Sequence, residues 1–166
     1  MIKIVLSEKD FDYEIQALVN SFFPGQKSKV VIYGNDNVED ADIVININFN
    51  MNEISVAVKS DKINTVRTEK VTGEQDYHKH EGKTTHPYRT YYKNILKKLI
   101  YTELSGINDK ELPDGIVKRI PEWGTMTGVR PTKIAMNELL SGKEISDVRN
   151  SLKEVYCCSN DKIELG

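Results

Sequence analysis

The densest set of chemically capable residues runs from Trp123 to Lys133, WGTMTGVRPTK, and holds the only tryptophan of the chain. Thr125, Thr127, Arg130, Thr132 and Lys133 can all donate hydrogen bonds, and Gly124 and Gly128 free the backbone between them. Pro131 suits the first position of a helix, so the stretch reads as a flexible loop entering a helix N-terminus. Free N–H groups and a partial positive charge at such a terminus, reinforced by Arg130 and Lys133, make a receptor for a carboxylate or phosphate. The Walker phosphate loop is excluded: three residues separate its glycines and Val129 follows Gly128, where that motif needs four and a lysine. The competing use is architectural, with Trp123 docking the loop onto the sheet domain and Arg130 pairing with an internal acid.

Other groupings offer less. His78, His80 and His86 share one polar stretch with Asp76 and Glu81, but a zinc site needs further ligands rigidly held, so solvated histidines and no metal are expected. Arg89, Lys93 and Lys97 recur every fourth residue beside Tyr88, Tyr91 and Tyr92. On a helix they form a basic stripe that could track phosphates while tyrosines stack on bases, or a solvated face over a packed core. Cys157 and Cys158 are adjacent, which suits reduced thiols rather than a metal motif. No nucleophile, base and orienting group occur together in a recognisable catalytic pattern.

The elements that must carry these residues follow from periodicity. MIKIVL reads as a strand, and Ser7 as a cap for a helix whose stripe is Phe11, Ile15, Leu18, Val19 and Phe22, ending at Pro24 and Gly25. Lys29 to Tyr33 suits a second strand, and alternation through Ile43, Ile45, Ile47 and Phe49, then Ile54, Val56 and Val58, predicts a hairpin. From Asp61 to about Pro87 the chain is polar and aperiodic, which reads as a long loop or frayed strand extension. A helix follows from about Tyr88 to Ser105, with Tyr92, Ile95, Leu96 and Leu99 on its buried face and Gly106 as its stop.

The expected fold is α+β over residues 1 to 106: a mostly antiparallel sheet with two helices on one face. A linker over 107 to 122 then leads to a small all-helical segment over 123 to 166. That segment holds one helix from Pro131 through Ile134, Leu139 and Leu140, and a second with Val148, Leu152, Val155 and Tyr156 buried and Ser146 as its cap. Ser159 caps a third that ends at Gly166 after less than two turns, which points to a piece of a longer protein.

The 166 residues can bury one substantial core. With 39% hydrophobic and 29% charged residues the composition is that of an ordinary globular domain, and a net charge of −2 gives no overall attraction to nucleic acid or membrane. No signal peptide or spanning segment is evident, so a cytoplasmic location and no membrane partner are expected.

The last quarter of the chain also resembles a known family. WGTMTGVRPTKIAMNELLSGKEISDVRNSLKEVYCCSNDK is similar to the segment preceding the catalytic domain in the N-terminally extended branch of the oxygen-independent coproporphyrinogen III oxidases, or coproporphyrinogen dehydrogenases. The family pattern matches Trp123, Gly124, Thr127, Gly128, Arg130 to Lys133, Tyr156 and Ser159 to Lys162, with Met126 at a usual leucine. The resemblance implies a parent enzyme of porphyrin and haem biosynthesis. That enzyme would use a [4Fe-4S] cluster, held by Cys-x3-Cys-x2-Cys, and S-adenosylmethionine to decarboxylate two propionates oxidatively. The chain lacks this motif, so the resemblance implies a non-catalytic N-terminal portion, with no cofactor of its own, whose partner is its own C-terminal catalytic domain. It further implies that the Arg130/Lys133 helix terminus clamps a carboxylate of the tetrapyrrole substrate. The rival reading is a nucleic-acid-binding module using the Arg89/Lys93/Lys97 stripe, and a third is a structural domain that shields the catalytic barrel.

Overall fold

The computed structural model describes residues 1–34, 40–50, 52–72, 87–127 and 131–165. Side chains are described throughout these ranges except at 87–89 and 165. Five strands, β1 (Ile2–Leu6), β2 (Ser28–Ile32), β3 (Ile43–Phe49), β4 (Glu53–Lys59) and β5 (Asn64–Lys70), form one sheet in the order β2-β1-β3-β4-β5. β1 pairs in parallel with both β2 and β3, while β3–β4 and β4–β5 are antiparallel. The parallel ladders carry five paired positions each and the antiparallel ones six and seven, so antiparallel pairing is the larger part of an α+β fold.

Two helices, α1 (Asp12–Phe22) and α2 (Pro87–Ser105), pack on the same face of this sheet. The reason is visible residue by residue. Ile2, Ile4 and Leu6 of β1, Ile43, Ile45 and Ile47 of β3, and Ile54, Val56 and Val58 of β4 are all nearly inaccessible. They meet Ile15, Leu18, Val19 and Phe22 of α1 and Tyr92, Leu96, Leu99, Ile100 and Leu104 of α2. Period 2 in the strands and period 3.6 in the helices thus converge on a single core. Tyr92, wholly buried, stacks against Phe11 at 6.0 Å between ring centroids and donates its hydroxyl to the carbonyl of Asn50 at the β3–β4 turn. That bond gives the one polar atom of a core tyrosine its partner.

Several local expectations are corrected. Ser7 does not cap α1, which begins after Phe11 in a left-handed conformation (φ 54°) with no side-chain cap. Ser7 instead accepts from the Phe49 N–H at 3.0 Å and donates to the Phe49 carbonyl at 3.3 Å, tying the end of β1 to β3. The polar stretch after Asp61 contains β5, an edge strand largely exposed along its length. An edge strand touches the core from one side only, so its alternation is faint. Arg67 is its anchor to the helix layer, with Nε donating to Glu103 Oε2 at 2.9 Å, where the carboxylate is 6% exposed.

The stretch over 107 to 122 is no free tether. Ile107, Leu112 and Ile116 are buried in the main core, the backbone N–H of Arg119 donates to the Phe22 carbonyl at 2.7 Å, and Lys118 bonds the Ile107 carbonyl. Beyond it come α3 (Pro131–Leu140), α4 (Ile145–Glu154) and α5 (Asn160–Leu165). They gather a second, smaller core of Met126, Val148, Leu152, Cys158 and Ile163, flanked by Trp123, Ile134 and Tyr156. Pro131 opens α3 and the Ser159 hydroxyl accepts from the Lys162 N–H at 3.4 Å at the head of α5, as expected. Glu144, not Ser146, occupies the N-cap position of α4, with no side-chain cap hydrogen bond. Leu139 and Leu140 of α3 are 41% and 78% exposed.

Candidate functional site

The Trp123–Thr127 loop is held by backbone geometry before any side chain acts. Gly124 has φ 62°, a region costly to side chains, and a Cβ there would lie 1.8 Å from the Tyr156 carbonyl oxygen. This close approach lets the Thr125 N–H donate to that same oxygen at 2.8 Å, while the Ser159 N–H donates to the Glu122 carbonyl at 2.8 Å. Cys157 turns the facing strand of chain with its own positive φ of 58°. Cys158 then places its Sγ 3.5 Å from the Trp123 carbonyl.

α2 presents two different faces. Its apolar face enters the main core, and Lys97, Lys98 and Tyr101 meet the loop and helical segment. Lys97 Nζ donates to Thr127 Oγ1 at 3.2 Å, Lys98 Nζ to the Glu154 carbonyl at 2.5 Å, and the Tyr101 hydroxyl to the Pro121 carbonyl at 3.4 Å. Lys97 is only 7% exposed. Burial, and secondarily the Lys93 charge, lower its pKa to about 8, with Glu14 acting in the opposite sense. The basic stripe is therefore not a uniform solvent-facing one: Lys93 is half-buried, Lys97 is enclosed under Thr127, and the side chain of Arg89 lies outside the described residues.

A testable consequence follows. The Lys97 ammonium is disfavoured in the folded state, so its contribution to stability is least favourable below pH 8 and improves as pH rises from about 8 toward 10.5. Lys97→Met should raise stability near neutral pH by on the order of 1 kcal/mol. Its advantage over the parent should shrink across that interval. The comparison isolates Lys97 because the Cys158 thiol, raised by burial to about 11, has the opposite dependence in both proteins. Urea titrations of both proteins at pH 7 and pH 10 measure the effect.

Around the loop lies a groove of about 340 Å³, walled by Asn20 beside the end of α1, by Arg119, Glu122, Trp123 and Thr127, and by Lys162 of α5. Lys162 sits 5.6 Å above the Trp123 ring centroid and 3.3 Å from Glu122 Oε2, so its charge is stabilised by a ring face and an acid. Arg119 is exposed and has no acid partner among the described residues. Its planar fork can hold a carboxylate or phosphate through two bonds, with Lys162 contributing charge from across the groove.

Of the residues singled out in the sequence, Trp123 and Thr127 line this groove. Thr132 and Lys133 lie exposed in the first turn of α3, and Arg130 lies outside the described residues, as do His78, His80 and His86. Trp123 docks the loop onto the second core rather than onto the sheet. Arg119 was not anticipated, being separated in sequence from the loop and flanked by no pattern of its own, and Lys162, though part of the family-like Ser159 to Lys162 helix start, was not linked to the loop. Among the described residues no group of three or more histidine, cysteine or acidic side chains could hold a metal ion. Neither thiol fits an iron–sulfur cluster, with Cys158 buried against the Trp123 carbonyl and burial raising the pKa of both. No helix among the described residues is long and apolar enough to cross a membrane. Comparison of the chain with family models, curated proteins and solved structures finds no match.

Proposed function

We propose that this chain is the N-terminal, non-catalytic portion of an oxygen-independent coproporphyrinogen III oxidase and that it receives one carboxylate of the tetrapyrrole at the Arg119 groove. The observation that carries the reading is the convergence of Trp123 and Thr127, two residues of the family-like stretch, with a guanidinium that has no acid partner among the described residues and a second cation paired with Glu122. An anionic substrate arm held there would be oriented toward chemistry performed by the partner domain. The role of this chain's residues is to bind and orient; the cluster and S-adenosylmethionine chemistry of such enzymes would reside in the C-terminal domain.

Docking of that domain has a candidate surface. Met136, Leu139 and Leu140 of α3 and Ile145 at the start of α4 are 56%, 41%, 78% and 63% exposed, a concentration of large apolar side chains on one short stretch. This supports the proposal that α3 and α4 face the catalytic domain.

Trp123 is the only tryptophan, so its fluorescence reads the groove directly. Titration with coproporphyrin III, the air-stable relative bearing the same four carboxylates, should quench it saturably. Arg119→Ala should weaken this binding by about tenfold, the worth of a charge-assisted bond, while leaving the melting temperature unchanged. Absence of saturable quenching, or equal affinity in Arg119→Ala, would reject the substrate-positioning role. The parent activity is tested separately, by S-adenosylmethionine cleavage in the anaerobically reconstituted full-length protein with and without coproporphyrinogen III.

A further inference from the structure

The face of the sheet opposite the two helices carries an ordered pattern that neither core requires. Reading across the ladders gives a row of Lys29, Lys3, Val44, Lys59 and Asn64. The next row on this face is Val31, Val5, Asn46, Ala57 and Val66. Beyond it, Asn48, Ser55 and Thr68 align, with Ser7 and Tyr33 just past the ends of β1 and β2, where the Tyr33 N–H donates to the Leu6 carbonyl. The face thus grades from cationic, through apolar, to polar with an aromatic ring at its corner. Of the strand residues on it, Glu53 is the only acid, and it lies opposite Lys70 at the far edge.

A concavity of about 410 Å³ is set into this gradient, lined by Val5, Ser7, Tyr33, Asn46, Asn48 and Lys59 among others. Three of these residues are unusual for their places. Asparagine is depleted in strands because its amide competes with the ladder, yet Asn46 and Asn48 follow each other on one face of β3. Neither side chain is spent on a partner among the described residues. Tyr33 is 80% exposed, which leaves most of its ring unpacked. Local rules broken together at one place mark a site. Lys3 and Lys29 have interactions of their own, so Lys59 is the cation the site can use.

Topology agrees. The strand order departs from β1 in both directions, to β2 on one side and β3 on the other, and all three run parallel. In such sheets ligands bind at the carboxyl ends of the strands, where the order reverses. The concavity reaches that end through Leu6 and Ser7 of the β1 terminus and Asn48 of β3.

We propose that this concavity binds a nucleoside monophosphate unit. The base stacks on Tyr33, Asn46 and Asn48 bond its polar edges, Val5 and Ala57 floor the sugar, and Lys59 meets the phosphate. Tyr33, just past β2, and Lys59 of β4 stand about 13 Å apart along the strands and, three strands apart, about 14 Å across the sheet, so the two long side chains must lean toward each other for one nucleotide to close the span. Amide side chains can both donate and accept, which suits base edges rather than a simple anion. The same unit occurs as a free nucleotide and within single-stranded nucleic acid, and this proposal does not depend on the tetrapyrrole reading.

Fluorescence anisotropy with a short labelled oligouridine or oligoadenosine at low salt, competed by free UMP or AMP, tests it. Binding should weaken by about tenfold in Tyr33→Ala, as loss of one base–aromatic stack predicts. In Lys59→Ala, the dependence of log affinity on log salt should fall by about 0.7. Both positions are at the surface, so unchanged melting temperatures are expected and verify folding. Competition by the free nucleotide at comparable affinity identifies the small molecule as the ligand, and binding of the oligomer alone identifies a single strand. No binding of either at low salt, or binding indifferent to both substitutions, overturns the proposal.

Discussion

Gly124→Ala is expected to dismantle the Trp123–Thr127 loop, lowering the stability of the helical segment by on the order of 3 kcal/mol. The added Cβ would sit 1.8 Å from the Tyr156 oxygen and 2.5 Å from the Cys157 carbonyl carbon, and both obstacles are backbone. Relief requires 122–127 to part from 156–159, breaking the Thr125–Tyr156 and Ser159–Glu122 hydrogen bonds. The Trp123 emission should shift to the red while the sheet, which holds no tryptophan, keeps its circular dichroism. An unshifted emission and an unchanged urea midpoint would show that the close approach is not needed for this arrangement.

Phe22→Ala should act on the other core and cost about 3–5 kcal/mol. Phe22 is wholly buried at the end of α1 and meets Tyr101 edge-on at 5.3 Å between ring centroids. Truncation leaves a void that the sheet and α2, braced by Tyr92, can fill only in part. The Phe22 carbonyl also receives the Arg119 N–H. Loss of the ring should therefore loosen the groove as well as the core. Equilibrium unfolding in urea measures the first effect and porphyrin quenching of Trp123 the second. A loss under 1 kcal/mol would mean that the surroundings collapse onto the missing ring.

What the sequence made legible divides along physical lines. Alternation in β3 and β4 and the stripes of α1 and α2 reported burial faithfully, because each element has one apolar side and the core takes that side. β5 could be read only as a loop or a frayed strand extension because it is itself an edge: Val66 is 65% exposed, and Arg67 ties the strand to the buried Glu103 carboxylate. Ser7 had the right chemistry for a cap but found a nearer use on Phe49. Parallel pairing of β1 with β3 was hidden because pairing of strands distant in sequence leaves no local mark. The site shows the same division. Trp123 and Thr127 announced themselves by composition within one loop, while Arg119 and Lys162 join them only through folding. Lys97 looked like a solvated charge because spacing reports which side of a helix a residue occupies, and not what covers that side.

The second core has few buried side chains and leans on α2 largely through polar contacts, whereas the first is continuous across sheet and helices. Segments of that kind open locally at lower free energy than the global transition. The Arg119 groove draws one wall from the end of α1 and another from Trp123, Thr127 and Lys162. It exists in full only when the two cores are apposed. Any anion that occupies it binds the closed arrangement preferentially, and by mass action holds the two cores together. Occupancy at the groove is thus coupled to how firmly the helical segment is held, so that a ligand met there sets how rigidly the exposed apolar side chains of α3 and α4 are presented.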